Sequence, residues 1–185
     1  NNIFDGNGDA LVRLAPLVDT TPDSTTVNSE GSIVLDTVDV DGDLIVNVDD
    51  GGDDDPESLT VETLSAGSLD VQGTAGSTDE TLTFNGPVTT TADGVEVSDA
   101  ALVEFMPGAD INSATTVDLS GTSITVQNVM AGDDIILNPG AGLAQPAPEL
   151  FRPDGFLTLD DMTITSTGGD VFLGPTGGFS SFPSI

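Results

Sequence analysis

Asp39, Asp41 and Asp43 stand at alternate positions, so in an extended segment all three carboxylates project to one side. Three neighbouring carboxylates repel one another unless a cation lies between them, and hard oxygen ligands suit Ca2+. A second run, Asp49, Asp50, Asp53, Asp54 and Asp55, followed by Glu57, falls in a Gly-rich stretch able to fold around a cation. These two stretches are the expected metal-binding residues, and Ca2+ is the expected cofactor. Asp5-Gly-Asn-Gly-Asp9 also opens like a calcium loop, but it departs from the EF-hand pattern at Ala10 and Pro16. The competing reading of every such run is a solvated acidic surface.

The remaining inventory argues against catalysis. The chain has no Cys, His, Tyr or Trp, and its two basic side chains are Arg13 and Arg152. The usual nucleophile–base pairs and thiolate or imidazole zinc sites therefore have no residues to build them. Two carboxylates can hydrolyse a glycosidic bond. Among 32 acids, however, a close pair says little, and no Trp or Tyr is present to platform a sugar ring. No catalytic residue is assigned, and the chain is read as a non-enzyme. Arg13 and Arg152, in a chain of net charge −30, are candidates for pairing with carboxylates of a neighbouring copy.

That charge also limits the partners. An acidic surface repels nucleic-acid phosphates and anionic lipid headgroups, so nucleic-acid binding is excluded. No apolar run approaches the roughly 20 residues of a membrane-spanning helix, and no membrane insertion is expected. The self-repulsion opposes compactness and calls for salt, divalent cations or a partner to screen it.

The elements that must position these residues are strands. Val, Leu, Ile and Thr dominate, and 22 Gly and 11 Pro supply turns. One unit recurs: a Gly or small polar residue, then apolar–x–apolar. It is seen at Gly31–Leu35, Gly42–Val46, Ser58–Val61, Gly67–Val71, Thr81–Phe84, Gly94–Val97, Thr116–Leu119, Thr122–Val126, Asp134–Leu137, Gly155–Leu159, Met162–Ile164 and Gly169–Leu173. Period-two alternation bounded by Gly, Asp, Asn or Pro is the pattern of short half-buried strands. The best helical candidate, Asp99–Met106, is too short to stand alone.

Corresponding units recur at about 23–26 residues, with a longer step in the middle, the length range of one solenoid coil. The expected fold is all-β, a parallel β-helix (β-solenoid). The alternative is a β-sandwich with a donated N-terminal strand, residues 3–14. Residues 1–30 are expected as an N-terminal cap or arm. Residues 31–173 are expected as coils, with a Pro-rich excursion loop at 138–154, and 174–185 as a C-terminal tail.

Within this pattern, Pro107-Gly-Ala-Asp-Ile-Asn-Ser-Ala114 leads into Val117-Asp-Leu-Ser-Gly-Thr-Ser-Ile-Thr-Val126 and then Asn128-Val-Met-Ala-Gly-Asp-Asp-Ile-Ile-Leu-Asn138. Leu157-Thr-Leu159 through Gly168-Gly-Asp-Val-Phe-Leu173 has the same rhythm. The wording over 31–137 and 155–173 resembles the repeats of filamentous-haemagglutinin-type adhesins and related giant surface proteins. The chain departs from them in its acidity and its Pro-rich interruption. The resemblance implies a right-handed parallel β-helix, export to the cell surface, and a role in adhesion or filament structure. The expected function is thus a secreted or cell-surface structural protein, a self-assembling filament, surface-layer or adhesin segment whose main partner is another copy of itself. The alternative is a calcium-dependent module binding surface polysaccharide.

Overall fold

An apolar–x–apolar unit in extended backbone sends its two apolar side chains to one face and the middle residue to the other. In a computed structural model, which describes residues 2–5, 11–14, 16–48, 57–73, 80–139, 156–159 and 162–174, the units do this repeatedly. The first strands are β1 (Asn2–Asp5), β2 (Val12–Leu14), β3 (Leu17–Asp19), β4 (Thr25–Ser29), β5 (Ile33–Val40) and β6 (Asp43–Val48). They continue as β7 (Ser58–Ala66), β8 (Ser68–Gln72), β9 (Thr81–Phe84), β10 (Val88–Thr90), β11 (Val95–Phe105) and β12 (Ile111–Ser113). The last are β13 (Val117–Val126), β14 (Val129–Ala131), β15 (Ile135–Pro139), β16 (Phe156–Leu159), β17 (Ile164–Ser166) and β18 (Val171–Leu173).

Every pairing between these strands is parallel, and each joins one coil to the next. The fold is an all-β parallel solenoid with no helix among the described residues. The sandwich alternative is excluded, because its hairpins require antiparallel neighbours. The N-terminal strands are not donated elsewhere: β1 pairs with β4, and β2 and β3 pair with β5. Strands inside residues 1–30 therefore already belong to the ladder. Most of the 138–154 segment and all of 175–185 lie outside the described residues.

Inward columns on three faces form the core, and one from each face traces the stacking. On the first face Val12, Ile33, Leu59, Leu82, Val103, Ile124 and Leu157 lie in register. On the second, Leu17, Val38, Leu64, Val88, Ile111, Val129 and Ile164 do so. On the third the column is Ile3, Val27, Val46, Val71, Val97, Leu119, Leu137 and Leu173. Burying each such side chain stabilises by about 1.5–3 kcal/mol, so stacking rather than any single coil holds the fold.

The coil length is less regular than the sequence suggests. Cross-coil hydrogen bonds link residues 26 apart at Ser32–Ser58, 23 apart at Thr90–Ser113 and 18 apart at Asp110–Asn128. The step is 36 from Asp134 to Asp170, across the Pro-rich segment. The strands keep register because the corners absorb the difference. At the corner after the second face, hydroxyls repeat one device. Thr90 donates to the Asp93 carbonyl, Ser113 to that of Thr116, and Ser166 to that of Gly169. The segment 99–106, which the sequence marks as too short for a helix of its own, runs as β11 up to Phe105. The extra residue there is a bulge between Val97 and Ala100, with Asp99 at φ 56°, a conformation Asp tolerates better than most residues.

Candidate functional site

The third face has a distinctive exterior. Leu69, Val95 and Val117 turn inward, as do Val71, Val97 and Leu119, so the residue between each pair must face solvent. Those residues are Asp70, Glu96 and Asp118, and the register places them directly beside one another on successive coils. Neighbouring strands are about 4.8 Å apart, so the three carboxylates form an acidic ladder. Ile45 precedes the ladder in the same outward column and Ile136 follows it.

A shallow groove of about 320 Å3 runs along this ladder, lined by Ser68, Asp70, Asp93, Gly94, Glu96, Thr116 and Asp118 among others. Gly94 leaves the gap between Ser68 and Thr116. An added Cβ there would press on the Thr116 carbonyl oxygen of the next coil. The Asp93 carboxylate accepts hydrogen bonds from the Gly94 amide and the Thr115 hydroxyl, both at 2.9 Å. Gln72 donates to both oxygens of Asp70.

Crowding alters the acidity of this row. Partial burial holds the Glu96 carboxyl above its ordinary value, and the charges of Asp70 and then Asp118 add to that. Burial also raises Asp118, against a hydrogen bond from Ser120 that stabilises its charged form. The groove is thus a place where negative charge is held at a cost, next to hydroxyls and backbone.

The sequence-predicted residues fall differently. Asp39 ends up near the close of β5 on the second face, Asp41 sits at the bend, and Asp43 opens β6 on the third face. The chain turns at Asp41-Gly42, so the three do not project from one side of a single extended segment. Asp43 accepts hydrogen bonds from Ser68 at 2.8 Å and Ser24 at 3.5 Å. Asp49, Asp50, Asp53, Asp54 and Asp55 lie outside the described residues, as does Arg152. Of the described residues, no three acids converge as a metal-binding group. Arg13 on β2 pairs with Asp36 of the next coil, Nη2 donating to Oδ1 at 2.9 Å and to Oδ2 at 3.0 Å.

The ladder went unrecognised in the sequence although its signal was there. Leu69-Asp-Val71, Val95-Glu-Val97 and Val117-Asp-Leu119 all carry an acid at the middle of the unit. Only the knowledge that these units stack on one another turns that coincidence into a row. Comparison with protein-family models, with curated protein sequences and with solved structures gives no match. The parallel solenoid is compatible with β-helix repeat proteins, and no family match identifies the chain with the filamentous-haemagglutinin type.

Proposed function

We propose that this chain is an extracellular structural protein, a solenoid segment of a filament, surface layer or adhesin that assembles with copies of itself and carries no catalytic activity. One observation carries the reading: the three inward columns run without interruption to strands whose outer edges have no partner among the described residues, at both ends. Such edges template further strands. The repeat style shared with large surface adhesins and the acid-rich exterior support an extracellular setting. Light scattering across a concentration series at about physiological salt tests assembly. Mass rising with concentration supports the reading, and a constant monomer mass at high concentration refutes it.

The groove favours a second reading, a calcium-dependent module for surface polysaccharide. The row of Asp70, Glu96 and Asp118 does not converge as a three-acid cage, so it would draw Ca2+ to the groove with the sugar completing its oxygen shell, and Ser68 and Thr116 would meet sugar hydroxyls. Titration calorimetry with Ca2+ tests this reading, and absence of binding heat, together with a melting curve unmoved by EDTA, removes it.

A further inference from the structure

Leu137 and Leu173 are register partners in one inward column, and so are Ile135 and Val171. Leu137 and Ile135 are fully buried, whereas Leu173 and Val171 are each 39% exposed. Nothing in their chemistry differs. The following coil, through β18, covers the first pair from below, and no described coil covers the second from that side. On the other faces of that last coil, β16 pairs only with β13 and β17 only with β14 among the described residues. Its lower rim is therefore a ring of three open strand edges over partly covered apolar side chains.

The first coil is the counterpart. Val12 and Leu14 on β2, Leu17 on β3 and Ile3 on β1 occupy the same inward columns and are only partly buried. Their free edges point the opposite way along the axis. Arg13, the cation among the described residues, sits on this coil with its side chain 62% exposed. It is already paired with Asp36 of the following coil, and Asp19 and Asp23 keep the first coil acidic.

Resting on the reading that the protein assembles with itself, we propose that the last coil of one copy stacks on the first coil of the next in column register. In this joint β16 pairs with β2 of the second copy, β17 with β3, and β18 with β1. Leu157 then meets Val12, Ile164 meets Leu17 and Leu173 meets Ile3, so each apolar column crosses the boundary unbroken. Outward residues align by the same register, Thr158 beside Arg13 and Thr165 beside Val18. The contact is head to tail and relates copies along the axis, so it does not close and generates an open filament. Net charge of −30 on each copy opposes the joint and makes it dependent on salt.

The chain has no cysteine, which makes the register directly measurable. Parallel neighbours are about 4.8 Å apart, within the Cα separation that a disulfide spans. The double variant Val18→Cys/Thr165→Cys, oxidised at about 0.15 M salt, is expected to give a ladder of covalent multimers on a non-reducing gel. The control Val18→Cys/Phe172→Cys puts the second thiol on a different face and is expected to stay largely monomeric. Light scattering on the unoxidised variants separates the two levels of the proposal. Multimers in solution without the 18/165 ladder, or with equal ladders from both pairs, overturn the register while leaving assembly standing. Monomer throughout overturns both.

Discussion

Phe84 and Phe105 stack face to face on successive coils, ring centroids 4.4 Å apart and planes within 5° of parallel. Both are fully buried at the end of the first face. Here the parallel strands impose one register on both rings, and each also fills the corner where the second face begins. Phe105→Ala removes half of the stack and opens a cavity in the middle of the solenoid. A loss of about 3–5 kcal/mol is expected in a denaturant melt. Phe105→Leu should recover much of it.

Gly132 faces a different constraint. A Cβ at this corner would drive into the Ala114 carbonyl oxygen of the preceding coil, a backbone atom that cannot swing aside. Gly132→Ala is expected to cost about 1–3 kcal/mol by overpacking, seen as a lower denaturant midpoint. Proteolysis of that variant should begin at coils near the corner.

The acidic ladder predicts a pH dependence. Glu96 and Asp118 both have folded-state pKa values raised above their unfolded ones, so the native state binds protons more readily than the unfolded chain. Their ionisation therefore weakens the fold. Stability from this source is greatest below the ordinary carboxylate range and declines as pH climbs through the raised values. Glu96→Gln should stabilise the protein at neutral pH by about 0.5 kcal/mol, the scale of a cross-strand pair. It should also flatten the melting temperature between mildly acidic and neutral pH. An unchanged pH profile in Glu96→Gln would rule the ladder out as the source.

Net charge supplies a further expectation. Shortening the screening length from about 30 Å at 0.01 M salt to about 8 Å at 0.15 M reduces self-repulsion among 32 acids. The melting temperature should rise over that range with a monovalent salt alone. If Ca2+ at matched ionic strength gives the same rise, general screening suffices. A larger rise with Ca2+, lost in Glu96→Gln, would favour the binding reading.

How far the fold was legible depended on the face. Ile33-Val-Leu35, Leu44-Ile-Val46 and Leu82-Thr-Phe84 announce strands because both inward positions are large and apolar. The second face was mostly invisible. Its second inward position is Ala66, Thr90, Ser113, Ala131 or Ser166, residues that fit a tight corner or tie it with a hydroxyl, and they break the apolar–x–apolar pattern. The period of about 23–26 residues pointed to the solenoid but covers only some of its steps, since corners lengthen and shorten while strands keep register. Asp39, Asp41 and Asp43 misled because alternation holds only within one strand, and Gly42 lets the chain turn among them. Gly42 is buried against the backbone of Pro22 and Asp23, which leaves that corner no room for a side chain.

End-to-end stacking is most directly tested by electron microscopy of the purified protein at about 0.15 M salt. The account predicts unbranched fibres one solenoid wide that lengthen with concentration and disperse at low salt. Isolated particles of monomer size at every concentration and salt would contradict it.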